Sequence, residues 1–372
     1  MNFLFACGGT GGHINPAVAA AQRIRTLMPD AGCLFVGASD NMEMELVPRE
    51  GFPIRGITVG NLHRSLKPRE IVHNLRSAGQ LDRAVREAGR IIREFKPDAV
   101  LGTGGYVCFP VLRAAASQKI PTLLHEANAM PGLTTRMLER HVDRMMVAFE
   151  ESRSGYRRPE RVLTVGMPVR SGFREADREE ARRQMGLDDK PFILSFGGSL
   201  GARRLNGAVA ALAAENEKTG AFRLLHACGG GEEGLKAMKA LLAQAGEAEP
   251  KYTELRPYIY DMPTAMAAAD LIICRAGAST LGELCAVGRA AVLVPYPYAA
   301  EGHQLDNARC FADRQAAKLV ENRELTVERA EALIRDFLLH PREWSAMGDR
   351  MRQLARPDAA EVLIAEISSE SD

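Results

Sequence analysis

No stretch of this sequence holds 18 consecutive apolar residues, so no segment reads as a membrane-spanning helix. The chain also lacks any C-x-x-C pair: its seven cysteines are odd in number and scattered, which signals neither a zinc site nor a dithiol redox motif. Reduced thiols buried as small hydrophobes are the expectation. The P-loop signature G-x-x-x-x-G-K-S/T is absent, which excludes that class of NTPase. The first glycine turn has the wrong spacing for G-x-G-x-x-G, and the next strand, Cys33–Val36, ends in Gly37 with no acid for a ribose. A nicotinamide cofactor is thereby disfavoured. The N-terminal residues lack a basic n-region and read as a first strand, not a signal peptide.

What is present is ordinary globular composition. The chain has 372 residues, 46% hydrophobic and 26% charged, with a net charge of +1. That length suggests two domains, each able to bury a core. The near-neutral total conceals an asymmetry. Residues 1–168 carry 22 Lys and Arg against 16 Asp and Glu, and the remainder carries 26 against 31.

Short apolar runs, glycine turns and helical patterns alternate along the chain, which implies parallel sheets with helices on both faces. Phe3–Cys7 leads into Gly8–Gly12, and Phe192–Phe196 leads into Gly197–Gly201, 189 residues later. The likeness of the two starts points to two similar α/β domains joined near Gly166–Arg170. The stretch from about Arg342 reads as helical and is expected to pack back on the first domain. The boundaries expected are therefore 1–166 with about 342–372, and 167–341.

The chemistry sits in the turns. Gly8-Gly9-Thr10-Gly11-Gly12-His13 follows a strand and opens a helix, a setting in which backbone N–H groups and the helix dipole receive phosphate. His13 lies at the mouth of that loop, either as a general base or as a ligand of phosphate or backbone. Glu126, just past a strand end in His125-Glu126-Ala127-Asn128, is the competing base. Asn128 is placed to donate to a sugar hydroxyl or a phosphate. Gly102-Thr103-Gly104-Gly105-Tyr106 is a further glycine turn, either a second arm of the anion cradle or a site of close packing.

In the second half, Arg275–Glu283 follows the strand Leu271–Cys274. Ser279 and Thr280 fall in the first helical turn, and Glu283 one turn on can accept two ribose hydroxyls. The alternative for Ser279 and Glu283 is a capping box. With Gly197-Gly198-Ser199 before it and Glu301–Asn307 after it, the segment reads as part of a nucleotide-sugar site. No D-x-D occurs, so metal-dependent handling of the sugar nucleotide is disfavoured and no metal or other cofactor is expected. Leaving-group charge would fall to helix N-termini and arginines such as Arg170.

Between Leu62 and Lys96 lie nine basic residues and four acids. From Glu70 to Phe95 the apolar residues follow a helical period, with Arg76, Arg83, Arg86, Arg90 and Arg93 on the other faces. With Arg64, Lys67 and Arg69 this face suits an anionic membrane surface. It lacks the interleaved aromatics that nucleic acid would need, so no nucleic-acid partner is expected.

Taken in order, Gly8–His13 with Pro16, Gly104–Val107, His125–Asn128, Pro131–Thr134, Pro168–Arg170, Gly197–Ser199, Arg275–Glu283 and His303-Gln304 with Asn307 closely resemble the MurG family. These bacterial peptidoglycan enzymes add N-acetylglucosamine to lipid I. The resemblance covers nearly the whole chain, with Met167, Ala127 and Gly302 departing from the family's usual residues. It implies a GT-B fold, two Rossmann-like doubly wound domains facing an interdomain cleft. It implies UDP-N-acetylglucosamine on the second domain, with Arg170, Ser199, Ala278, Ser279, Thr280, Leu281, Gly282 and Glu283 at diphosphate and ribose. The backbone of Ile259 would meet the uracil, and Gln304 the sugar. Thr10, Gly11, Gly12 and Asn128 would reach the donor sugar or the acceptor diphosphate, and Gly104, Gly105 and Tyr106 would serve the acceptor. A peripheral place on the cytoplasmic face of the cell membrane, with cell-wall synthesis proteins as partners, follows from the same resemblance. A related transferase acting on diacylglycerol and a non-enzymatic UDP-sugar-binding protein are the alternatives.

Overall fold

A computed structural model describes residues 1–59, 68–247, 249–299 and 302–369. Side chains are described outside 60–79 and 367–369. Contacts within the chain divide it into two units, Met1–Arg170 with Arg356–Asp372, and Ser171–Ala355.

The first unit begins with β1 (Asn2–Ala6), α1 (Gly11–Leu27), β2 (Gly32–Ala38), α2 (Glu43–Arg49) and β3 (Ile54–Ile57). It continues through α3 (Pro68–Phe95), β4 (Ala99–Gly102), α4 (Cys108–Ser117), β5 (Thr122–Glu126), α5 (Leu133–Leu138), β6 (Arg144–Val147) and β7 (Val162–Thr164). All its strand pairs are parallel, in the order β3-β2-β1-β4-β5-β6-β7. Each strand is followed by a helix or turn that returns the chain to the same edge, so the loops after the strands gather at one end. The strands are almost wholly apolar because both faces are covered. Leu4 and Ala6 face a cluster with Ala88, Ile92, Val111 and Leu112, and Phe3 and Phe5 face another with Ile14, Val18 and Ile24. Phe5 stacks on Phe35 with centroids 4.8 Å apart.

The second unit opens with α6 (Ser171–Glu175) and α7 (Arg178–Gln184), then alternates β8 (Phe192–Phe196), α8 (Arg203–Thr219), β9 (Arg223–Ala227), α9 (Gly231–Gln244), β10 (Thr253–Arg256), α10 (Met262–Ala268), β11 (Leu271–Cys274), α11 (Ala278–Val287), β12 (Ala290–Leu293), α12 (His303–Ala312) and β13 (Lys318–Leu319). Its parallel order is β10-β9-β8-β11-β12-β13. In both units the strand order reverses beside the first strand, where ligands bind in open α/β sheets. That is the doubly wound architecture expected, twice over.

The C-terminal helices depart from expectation. After α13 (Val327–Leu339), the stretch from about Arg342 is not one helix but two, α14 (Pro341–Gln353) and α15 (Ala359–Ser369). Helix α14 stays with the second unit. Its Trp344 is buried edge-on against Phe337, and its Gly348 lies so close to Gly288 O that a Cβ would come within 2.9 Å. Only α15 joins the first unit, burying Leu363 and Ile364 beside α1 and pairing Glu361 with Arg23 at 2.8 Å. The break falls at Arg356-Pro357, where a proline bars the preceding residue from continuing a helix. The contact boundaries thus fall at Arg170 and Ala355, later than 166 and 341.

Helix α3 forms from Pro68 to Phe95, with Ala84, Ala88, Ile91 and Ile92 buried and Arg83, Arg86, Arg90 and Arg93 exposed. Arg83 pairs with Glu87 and Arg86 with Asp82, so part of this face neutralises itself. Arg64 and Lys67 lie outside the described residues, as do the side chains of Arg69 and Arg76.

Candidate active site

In the first unit, the turn after β1 is shaped by contacts from three other segments. Gly9 takes φ +84°, Thr10 is extended at the N-cap of α1, and the Thr10 carbonyl accepts from His13 N and Ile14 N at 3.0 and 3.2 Å. His13 Nδ1 lies 2.9 Å from Gly8 O, with a longer 3.4 Å approach to Thr10 Oγ1. A carbonyl can only accept, so Nδ1 carries a proton, and Nε2 is the nitrogen whose lone pair is available whenever the ring is neutral.

The turn after β4 closes over this ring. Thr103 Oγ1 donates to His13 O at 2.7 Å. Gly104 (φ +118°) lies against the imidazole, where a Cβ would sit 2.8 Å from Nε2. Gly105 (φ +88°) lies on Gly8, where a Cβ would be 2.3 Å from its carbonyl oxygen. The sequence left this glycine turn open between anion cradle and close packing. Close packing against the first loop is what the geometry contains. Tyr106 next to it is 52% exposed and free to face a ligand. Beneath, Cys108 Sγ donates to Ala6 O at 3.1 Å, and burial pushes its thiol up to about 12, so it stays protonated.

Glu126 ends β5 and is 4% exposed. Its Oε1 accepts from Asn128 N at 2.9 Å and Asn128 Nδ2 at 3.0 Å. Its Oε2 accepts from Gly132 N at 3.0 Å and Thr135 Oγ1 at 2.7 Å. Four donors fill the roughly four acceptor directions of a carboxylate. This is how a carboxylate anchors a loop and the first turn of α5. His125 before it is fully buried, donates from Nε2 to Gly166 O at 2.8 Å, and is held neutral by burial.

One carboxylate in this site gives no sign of itself in the sequence. Glu43, at the start of α2, is fully buried and accepts from Gly9 N at 3.0 Å and Ala38 N at 2.9 Å. Arg170 closes the first unit, and its Nη1 lies 3.4 Å from Glu50 Oε1.

In the second unit the corresponding turns again meet backbone to backbone. Gly201 N donates to Gly198 O at 2.9 Å, and Gly230 N to Ser199 O at 2.9 Å. Gly229, Gly230 and Gly231 all have left-handed φ, and a Cβ on Gly229 would lie 2.1 Å from Gly201 N. This holds Ser199 exposed at the tip of its turn. The triple glycine was the missed signal here, since it too follows a strand directly.

Helix α11 has Gly277 as its N-cap, so Ser279 stands inside the helix and the capping-box alternative does not apply. Ala278, Ser279 and Thr280 occupy the first turn, whose N–H groups have no acceptor within the helix. Glu283 is half-buried one turn later. Leu281 is a correction: its side chain is fully buried and its N–H donates to Gly277 O at 3.0 Å, leaving neither for a ligand. Gly282, half-buried beside it, offers no side chain. Ile259 is also buried, between exposed Tyr258 and Tyr260, so only its backbone can meet a base. Gln304 near the start of α12 accepts from Tyr296 N at 2.9 Å, which fixes its carboxamide with the NH2 as the remaining polar end. Arg275 donates to Val294 O, Pro295 O and Asn322 Oδ1 at 2.9–3.0 Å and ties these turns together.

Among the described residues no group of three His, Cys, Asp or Glu is arranged to hold a metal ion, and no helix is long and apolar enough to cross a membrane.

Residues 3–147 match the glycosyltransferase family 28 N-terminal domain, and residues 192–363 match the family 28 C-terminal domain. This chain belongs to glycosyltransferase family 28. Its two parallel-sheet units constitute the GT-B fold of that family. Within family 28, it is 41% identical over 98% of its length to a UDP-N-acetylglucosamine--N-acetylmuramyl-(pentapeptide) pyrophosphoryl-undecaprenol N-acetylglucosamine transferase of Desulforudis audaxviator, covering 97% of that protein. A Thermoanaerobacter relative of the same name is 40% identical over 99% of this chain and all of its own length. The crystal structure of Acinetobacter baumannii MurG superposes with a TM-score of 0.76 at 31% identity, covering 99% of both chains.

Proposed function

We propose that this chain transfers N-acetylglucosamine from UDP-N-acetylglucosamine to the 4-hydroxyl of lipid I, with inversion, giving lipid II for peptidoglycan synthesis. The observation that carries the reaction and both substrates is the end-to-end match to relatives named for that transfer. The diacylglycerol-utilising and non-enzymatic alternatives have no comparable support.

The site residues fit that chemistry as follows. Glu283 accepts from the two ribose hydroxyls, the Ile259 backbone reads the uracil, and the Gln304 NH2 donates to the sugar. Ser199 and the first-turn N–H groups at Ala278–Thr280 receive the diphosphate, whose charge grows as the C1–O bond to phosphate breaks. His13 Nε2 takes the proton from the acceptor hydroxyl as that oxygen bonds to C1. The hydroxyl is a poor nucleophile, and a positioned base contributes about 10²–10⁴-fold. Glu126 holds the loop that presents Asn128 and takes no proton. Gly11, Gly12, Thr10 and Tyr106 remain at the acceptor diphosphate and sugar.

Incubation with UDP-N-acetylglucosamine and lipid I, with EDTA present, is expected to yield the β-linked disaccharide lipid, and diacylglycerol is expected to yield nothing. His13→Ala should lower kcat by about 10²–10⁴-fold and leave the KM for the sugar donor nearly unchanged. Turnover that survives His13→Ala but is lost in a stably folded Glu126→Gln would reverse the two assignments. Glu283→Ala removes two charge-assisted hydrogen bonds and should weaken UDP binding by about 2–3 kcal/mol, read by calorimetry. An unchanged dissociation constant rules the ribose contact out.

The exposed arginines of α3 suit an anionic membrane surface, at about 1 kcal/mol per charge. Among the α3 arginines whose side chains are described, Arg90 and Arg93 are not paired as Arg83 and Arg86 are, and their charge is the more available to such a surface. Changing both to Ser should reduce binding to anionic vesicles, as should high salt, while transfer to a short soluble lipid I analogue continues. Undiminished vesicle binding would assign the contact to apolar insertion instead.

A further inference from the structure

The peptide between Gly8 and Gly9 is held at both ends. Its N–H donates to Glu43 Oε2 at 3.0 Å, and its carbonyl accepts from His13 Nδ1 at 2.9 Å. A single amide therefore separates a buried carboxylate from the imidazole. Glu43 reaches this place because two glycines leave room for it. A Cβ on Gly8 would lie 2.2 Å from its Oε1, and a Cβ on Gly37 would lie 2.4 Å from its Cγ. Its other oxygen is fixed by Ala38 N at 2.9 Å.

Burying a carboxylate costs several kcal/mol unless hydrogen bonds replace its water. Both contacts here are of the accepting kind that an ionised carboxylate offers. The neighbouring thiols of Cys7 and Cys108 are kept protonated by burial and add no second negative charge. Negative charge at the N–H end of an amide polarises it and makes its carbonyl oxygen a better acceptor.

We propose that Glu43 is a positioning residue for His13, acting through the Gly8–Gly9 peptide. The polarised Gly8 carbonyl holds the proton on Nδ1 and fixes the ring plane, so the Nε2 lone pair is ready for an incoming hydroxyl. A carboxylate in direct contact with a catalytic histidine does the same through one hydrogen bond. Here the same influence passes through one amide. The catalytic consequence rests on His13 being the base, whereas the coupling between Glu43 and His13 does not.

The test is ¹⁵N NMR of imidazole-labelled protein, at a pH where the ring is neutral, with kinetics on the same samples. His13 in the wild-type chain is expected almost wholly as the Nδ1–H tautomer. Glu43→Gln sets an amide NH2 against one of the two backbone N–H groups, and should release a substantial Nε2–H fraction. It should also lower kcat roughly 10–100-fold with the sugar donor's KM little changed. A wild-type ring protonated on Nε2 overturns the proposal without any variant, so a Glu43→Gln chain that fails to fold does not shelter it. A folded Glu43→Gln with the wild-type tautomer overturns it whatever kcat does. A shifted tautomer with unchanged kcat supports the coupling and overturns His13 as the base.

Discussion

The hydrogen bond from His13 Nδ1 to the Gly8 carbonyl is the contact around which the first unit's loops are arranged. It decides which imidazole nitrogen faces outward, and every neighbouring feature makes it possible. Gly8 has no Cβ because Glu43 fills that space, and Gly104 has none because the ring does. Gly105 has none because the Gly8 carbonyl must come within van der Waals contact of its backbone. The loop is thus fixed by its backbone contacts, which hold the imidazole in one orientation.

The second unit reaches a similar end with different means. Gly201 and Gly229 meet backbone to backbone, and Arg275 and Asn307 fasten neighbouring strand-end turns, with Asn307 Nδ2 donating to Ala276 O at 3.4 Å. What these fixed turns present are the N–H groups and short hydroxyls that suit a diphosphate. A protein built this way needs few charged side chains at its anion sites.

Much of this was legible in the sequence because the signals were local. Glycine clusters directly after apolar runs marked the strand-end turns, and the alternation of runs and helical patterns gave two doubly wound sheets. None of the four edge strands β3, β7, β10 and β13 was foreseen: all are short, and β3 is interrupted by Arg55 and Gly56. Glu43 was invisible for another reason: its partner Gly9 is 34 residues away, and Asn41–Leu46 reads as an ordinary surface helix start. Glu126 was seen, but four donors converging on it from Asn128, Gly132 and Thr135 could not be. Leu281 was misplaced because the motif was read as a block. Its spacing from Ala278 and Leu284 already put it on the buried face of α11. Pro357 likewise carried the break before α15 in plain sight.

The central claim is a division of labour: the second unit's helix N-terminus and Glu283 hold the nucleotide, and the glycine loop bearing His13 is left for the acceptor. A crystal structure with UDP bound tests it most directly. The account predicts the diphosphate within hydrogen-bonding distance of the first-turn N–H groups at Ala278–Thr280, with both ribose hydroxyls on the Glu283 carboxylate. A diphosphate seated instead on Gly9–Gly12 at the start of α1, with Glu283 untouched, would contradict it.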